Sequence, residues 1–279
     1  MPELPEAEVV ARQIRSRLLG ASLGEMWVGR EDIVREGFET LSWYPGASLQ
    51  SVERFGKSVA LGFVKDKVCR YVVAELGMTG LLLFQSTPTK HPQHVHVKMI
   101  FEDTREPELR YWNPRRFGRL SLLDRAGLDR YRTRRFGLDP LSASQQDFVR
   151  LLQARRGRLK SLLMHQQVIA GVGNIYANEI LFRASLHPHV QVSRLSVARV
   201  EKLYQIMCEV LHEAIACGGS SVRDFFAPDG TEGQYKQRHL VYGKAGLPCP
   251  NRCGGVIRRF QGERSAYFCL RCQSLRSTK

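Results

Sequence analysis

Two prolines and two glutamates stand within the first six residues, in MPELPE, and their spacing places reactive groups where a helix begins. Pro5 suits a first helical position because its missing N–H is not needed there, and Glu6 and Glu8 complement the positive end of the helix dipole. Pro2 has no such structural use. Removal of the initiator methionine ahead of a small residue would leave Pro2 with a free secondary amine. An α-amino group titrates near about 7.7–8.0, so an appreciable fraction is neutral at physiological pH. A neutral amine attacks carbonyl-type carbon to give a Schiff base, and Glu3, next in the chain, can supply or remove a proton.

A second cluster lies at the other end of the chain. Cys249, Cys253, Cys269 and Cys272 follow the pattern C-x3-C-x15-C-x2-C, two pairs separated by a hairpin's length of chain, which is how a tetrahedral structural zinc ion is held. Disulfides fit poorly in a chain whose N-terminus lacks the pattern of an export signal. Between the pairs, VIRRF, QGER and SAYF read as strand, turn and strand, with Arg264 at the tip. Cys69, Cys208 and Cys217 stand alone and read as small apolar fillers.

These residues need elements to hold them. Val10, Ile14 and Leu18 recur every four residues, predicting a helix from Pro5 to about Leu19 that Gly20 closes. From about Gly24 to Leu123 come short runs rich in Val, Leu, Phe and Tyr, such as SVALGFV, RYVVAEL, GLLLF and HVHVKMIF, which suggest a sandwich or barrel. RRFGLDPLSAS, at 134–144, reads as a linker whose last Ser caps the next helix. Residues 145 to about 217 carry helical periodicity, and the polar, Gly-rich GGSSVRDFFAPDGTEGQY reads as a mobile loop. The expected organisation is an α+β multidomain chain, with residues 1–133 as a catalytic β-sandwich domain, 134–144 as linker, 145–240 as a helical domain and 241–279 as the cysteine module.

Charge narrows the function. The 279 residues carry 42 Lys+Arg against 27 Asp+Glu, a net +15, the balance of a polyanion binder. The excess is clustered: NPRRFGR at 113–119, RRGRLK at 155–160, and ten basic residues against one acid from Lys236 to Lys279. No stretch approaches the roughly 18 consecutive apolar residues of a membrane helix, so the expectation is a soluble protein without membrane contact.

MPELPEAE, the GK at 56–57, LGMTG at 76–80, NPRRFG at 113–118, GVGNIYANE at 171–179, VYGKAG at 241–246 and the terminal CPNRC...ERSAYFCLRCQ, in that order, resemble the formamidopyrimidine-DNA glycosylase family over essentially the whole chain. The resemblance implies an N-terminal β-sandwich preceded by a helix, a helix-two-turn-helix domain and a C-terminal zinc-finger hairpin. It also implies a monomer in the bacterial cytoplasm, acting on nucleoid double-stranded DNA that carries damaged bases or abasic sites. One structural zinc ion and no organic cofactor go with it.

Carried onto this sequence, the resemblance makes Pro2 the nucleophile at C1′ of the damaged nucleoside, Glu3 the acid that opens the sugar, Glu6 its support, and Lys57 a second proton donor. It makes Arg264 the finger arginine that contacts phosphates and assists elimination. Met78, Arg115 and Phe117 become the trio that fills the space left by an extruded base. Arg155, Lys160 and Asn174 become phosphate contacts, Asn174 at a helix N-terminus suited to anions. A DNA-positioning histidine corresponds to His91 or His94, with His91 preferred. The implied activity is removal of 8-oxoguanine and formamidopyrimidines, then strand cutting by β,δ-elimination. The same mechanism on oxidised pyrimidines, or damaged-DNA binding without catalysis, are the alternatives.

Three positions depart from the family pattern. Glu75 replaces a His before LGM, and His165 replaces an Asp after the LLM-type helix. The first cysteine pair is C-x3-C rather than C-x2-C.

Overall fold

The computed structural model describes residues 2–89, 91–222, 225–262 and 264–275. Its first helix, α1, spans Leu4–Leu18. Leu4, Ala7, Val10, Ala11, Ile14 and Leu18 are fully buried, so the four-residue recurrence is the face that the helix presents to the core. Each large aliphatic among them contributes about 1.5–3 kcal/mol by leaving water. On the opposite side Glu8 takes hydrogen bonds from Arg12 (2.8 Å) and Arg54 (2.9 Å).

Nine strands follow: β1 Ser22–Val28, β2 Val34–Glu36, β3 Ala47–Phe55, β4 Ser58–Lys65, β5 Val68–Glu75, β6 Leu81–Phe84, β7 Val95–Glu102, β8 Glu108–Trp112 and β9 Arg119–Asp124. They hydrogen-bond in the order β2-β9-β5-β4-β3-β1-β7-β8-β6, and the parallel pair β2–β9 makes the sheet mixed. The expected sandwich is therefore built from one continuous sheet. Strand twist lets it curl back on itself: the Tyr111 hydroxyl on β8 donates to the Glu75 carbonyl on β5 at 2.7 Å. Val72, Leu82, Met99 and Leu122, from strands far apart in the order, share one core with α1.

A helix the periodicity does not announce, α2 (Arg125–Arg135), leaves β9 directly. Its sequence, RAGLDRYRTRR, buries only Gly127 and Leu128, so there is no apolar stripe to read. Beyond it come α3 (Gln145–Gln153), α4 (Leu159–Met164), α5 (Asn174–Arg183) and α6 (Val197–Ala216), then the hairpin of β10 (Ile257–Phe260) and β11 (Ala266–Cys269). Ser144 caps α3 as expected, its hydroxyl accepting from the Asp147 N–H at 3.1 Å.

The chain divides into two units, one of Met1–Arg134 and Ile215–Lys236, the other of Arg135–Ala214 and Gln237–Lys279. The stretch 218–235, expected within the helical domain as a mobile loop, falls in the first unit, and its described residues make hydrogen bonds there. The Ser220 N–H donates to Glu6 Oε1 at 2.7 Å, Gln13 and Asp229 bond reciprocally at 3.0 and 3.2 Å, and the Thr87 hydroxyl donates to the Pro228 carbonyl at 2.7 Å. Polarity that reads as solvent exposure here has partners on α1 and beside β6. Among the described residues no helix is long and apolar enough to cross a membrane.

Candidate active site

In the first unit, Pro2 and Glu3 lie buried immediately before α1. Glu3 is the N-cap and forms a capping box with Glu6. Glu6 Oε2 accepts the Glu3 N–H at 2.7 Å while Oε1 accepts the Ser220 N–H at 2.7 Å. Both oxygens of one buried carboxylate thus fix the backbone on either side of it, and through Glu3 they set where the Pro2 nitrogen sits. Gly219 permits the approach: at φ +82° it is left-handed, and a Cβ there would meet Glu6 Oε1 at 2.9 Å. Met1, whose removal would free the Pro2 amine, lies outside the described residues.

Lys57 occupies the two-residue turn between β3 and β4, where Phe55 pairs with Ser58 and Gly56 is left-handed at φ +56°. A glycine-first tight turn is what brings two twisted strands together in register. Next to Lys57, the Ser58 hydroxyl lies 2.9 Å from the Tyr131 hydroxyl.

The proposed trio rides on two loops packed against each other. Met78 belongs to the β5–β6 loop and is 40% exposed; Phe117 belongs to the β8–β9 loop and is 57% exposed, with the Arg115 guanidinium 4.9 Å from its ring centre. Single exposed apolar side chains are common on a protein surface, but here the loops that carry them are braced. Asn113, fully buried, donates to the Tyr111 hydroxyl (3.1 Å) and the Gly118 carbonyl (3.2 Å) and accepts from the Thr79 hydroxyl (3.4 Å). At Gly77, φ +60°, a Cβ would lie 2.5 Å from the Gly118 nitrogen, so only glycine allows this contact. Glu75, at the root of the loop, is ion-paired with Arg35 at 2.7 Å, and its substitution for His therefore brings a partnered charge.

His91 is exposed, with its ring 5.8 Å from that of His94. Its carbonyl accepts the Trp112 indole N–H at 3.0 Å. His96, the buried member of this group, lies 3.1 Å from the Asn113 carbonyl through Nε2. Burial holds it below the usual imidazole range, with Arg30, His94 and Arg116 adding to the effect.

In the second unit, Lys160 is only 6% exposed and donates to Asn174 Oδ1 and to the Ser265 carbonyl, both at 2.7 Å. Asn174 is the first residue of α5, after Gly173. Gln166 shapes the preceding turn, accepting the Gly171 N–H and donating to the Met164 and Val172 carbonyls, each at 2.9 Å. Arg264 is exposed between the strands of the hairpin. A cleft of about 580 Å³ is lined by Arg158, Lys160, His165, His189, Phe260 and Arg264 among others. Its charge suits phosphate. Burial, then Arg158 and Lys160, lower the His189 pKa. Arg155, at the end of α3, is exposed and does not line this cleft.

Cys249, Cys253, Cys269 and Cys272 bring their sulfurs within 4.8 Å of one another. The Cys249–Cys272 and Cys253–Cys269 separations are 3.6 and 3.5 Å. Zinc–sulfur bonds of about 2.3 Å in a tetrahedron require sulfur separations near 3.8 Å, whereas a disulfide needs about 2.05 Å. The cluster fits a closed zinc site, and the C-x3-C pair contributes both of its sulfurs to it, with Arg252 between them left-handed at φ +51°.

Three positions escaped the motif reading. Asn113 lies within NPRRFG, and Asn178 and Glu179 end GVGNIYANE; each works through distant backbone groups that no local spacing encodes. Glu179, fully buried, accepts the N–H groups of Leu240, Val241 and Tyr242 at 2.7, 3.1 and 2.8 Å and so fixes the chain entering the cysteine module.

Comparison with known proteins agrees with these features. Residues 1–120 match the formamidopyrimidine-DNA glycosylase N-terminal domain, and residues 136–226 match the formamidopyrimidine-DNA glycosylase H2TH domain. A formamidopyrimidine-DNA glycosylase of Solibacter usitatus is 37% identical, covering 98% of this chain and 99% of the relative. The MutM (FPG) protein of Thermus thermophilus superimposes with a TM-score of 0.84 at 36% identity over 98% of each chain. A variant of the Lactococcus lactis FPG protein, in complex with Fapy-dG-containing DNA, gives 0.85 at 30% identity over 98% of this chain and 100% of that one. This chain belongs to the formamidopyrimidine-DNA glycosylase family.

Proposed function

We propose that the protein removes oxidised purines from double-stranded DNA in the bacterial cytoplasm and then cuts the strand, with the Pro2 amine as nucleophile. The observation that carries the reading is the start of α1, where Pro2 and Glu3 are buried and Glu6 binds the backbone on both sides. Family membership supports the chemistry, and the Lactococcus lactis relative supports the formamidopyrimidine class of lesion.

In this reading the neutral Pro2 nitrogen bonds to C1′ as the bond from C1′ to the base breaks, and the attacking nitrogen then gives up its N–H proton to solvent. Glu3 protonates the ring oxygen, the sugar opens, and an iminium joins Pro2 to C1′. Loss of a proton from C2′ expels the 3′-phosphate, a second elimination expels the 5′-phosphate, and water frees Pro2. Lys57 donates a proton during base departure. Arg264, Lys160, Asn174 and Arg155 hold backbone phosphates, contacts that fix register and carry no sequence information. Met78 and Phe117 enter the stack and Arg115 faces the orphaned base, while His91 helps position the strand. Cys249, Cys253, Cys269 and Cys272 would hold a structural zinc ion, which would tie together the base of the hairpin that bears Arg264.

Excision tests the substrate class. Duplexes carrying 8-oxoguanine or Fapy-dG opposite cytosine should be processed faster than one carrying 5-hydroxyuracil; the reverse order would move the protein to the pyrimidine class.

A further inference from the structure

Asn178 is 1% exposed on α5, and its side chain bonds both within the helix and to the hairpin. Its Oδ1 accepts the Tyr267 N–H of β11 at 2.8 Å. Its Nδ2 donates to the Asn174 carbonyl at 2.6 Å, with the Asn174 side-chain oxygen at 3.3 Å and the Ser265 carbonyl at 3.5 Å. Lys160 reaches the same two partners, Asn174 Oδ1 and the Ser265 carbonyl. The Ser265 hydroxyl in turn accepts from Arg259 Nε on β10 at 3.1 Å.

These bonds converge on the residue that follows Arg264. Hairpin tips usually move more than the strands that carry them, yet here the Ser265 carbonyl is held by a buried ammonium and the N–H of Tyr267, the second residue of β11, by a buried amide. Leaving such groups unpaired is costly, so the tip has one favoured position relative to α5. The phosphate-facing asparagine and the finger arginine are thereby set at a fixed spacing.

We propose that Asn178, acting with Lys160, is a positioning residue: it fixes the hairpin tip on α5 so that Arg264 meets the DNA backbone at a set distance from Asn174. This rests on the assignment of Arg264 to the phosphates. The role is indirect, because Asn178 itself is turned into the protein.

A double-mutant cycle on strand cleavage at a preformed abasic site tests it, using Arg264→Ala, Asn178→Ala and the pair. Asn178→Ser serves as a second variant, since its hydroxyl bonds back to the Asn174 carbonyl but is too short for the Tyr267 N–H. Both Asn178 variants should retain one zinc per chain and slow cleavage by about the same factor as Arg264→Ala. The pair should be no slower than either single change, because residues that act through one another are not additive. The salt dependence of binding should fall by about one phosphate contact in each variant, although Asn178 carries no charge.

Multiplying defects, unchanged cleavage in both Asn178 variants, or loss of zinc from both would overturn the proposal. Arg264→Ala without effect would overturn the assignment of Arg264 and the inference with it. Defects in Arg264→Ala alone would spare that assignment and reject only the inference.

Discussion

At the scale of single residues, Glu6 shows how one carboxylate can serve a site without touching substrate. Its two oxygens take the Glu3 and Ser220 amides, and an unpaired buried N–H costs about 1–3 kcal/mol. Glu6→Ala should therefore lower unfolding stability by at least about 2 kcal/mol, read from the denaturant midpoint, and lower excision as well. Glu3→Gln should separate the steps differently. Removing a positioned proton donor slows chemistry by roughly 10²–10⁴-fold, so base excision should collapse while cleavage at preformed abasic sites falls less; equal loss in both assays would remove Glu3 from its role as acid. The four cysteines were legible because their type and spacing alone signal a metal set, whereas Pro2 and Glu3 take their roles from the family resemblance and not from spacing. Asn113, Asn178 and Glu179 were not legible, because an amide or carboxylate that satisfies backbone groups looks like any other polar residue until the fold supplies its partners.

Among the elements, the two braced loops carry the clearest expectation. Asn113→Ala removes a fully buried amide with three partners and should release Met78 and Phe117 from their fixed display. DNA binding to an abasic-site duplex should weaken by about tenfold or more, on the scale of the 1–3 kcal/mol attached to an orphaned buried group.

His96 adds a pH dependence to the same region. Burial lowers its pKa in the folded state, whereas the unfolded value is about 6.5. The folded protein thus binds the proton less readily than the unfolded chain, so this contribution to stability is complete above pH about 6.5 and is lost as pH falls through the folded value. Wild type should lose more stability between pH 7 and 5 than His96→Gln; parallel losses would mean that His96 is not responsible.

The same scale shows where reading a sequence stops. α1 was visible because its apolar face repeats, and β10–β11 because cysteine pairs bracket it. The runs that became β4 to β7 were visible as strands, but their joining with the other strands in one curled sheet depends on register and on contacts such as Tyr111 to Glu75. α2 is mostly arginine and polar residues, and residues 215–236 bond through polar groups to a part of the chain some two hundred residues earlier, as Ser220 does to Glu6.

For the whole molecule, net charge and zinc govern the encounter with DNA. With +15 overall and the phosphate contacts proposed for Arg264, Lys160, Asn174 and Arg155, affinity for a lesion duplex should fall by about a thousandfold or more between about 50 and 200 mM salt; a flat response would contradict backbone-dominated binding. The cysteine cluster makes a proton prediction. Burial pushes the Cys249 thiol up to about 12, while the Gly255 amide draws Cys253 down to about 7. A metal-free finger near neutral pH therefore retains thiol protons that zinc must displace. Chelation should abolish tight DNA binding, and one equivalent of zinc should restore it with proton release in weak buffer.

If Pro2 is the nucleophile, its nitrogen forms the covalent link to the damaged nucleotide. Borohydride reduction during reaction with an 8-oxoguanine duplex, followed by mass mapping of the adduct, tests this directly. A stable adduct should map to the Pro2 nitrogen and be lost when an extra residue ahead of Pro2 ties that nitrogen into a peptide bond. Trapping on a lysine such as Lys57, or an adduct that persists when the Pro2 nitrogen is blocked, would rule this out.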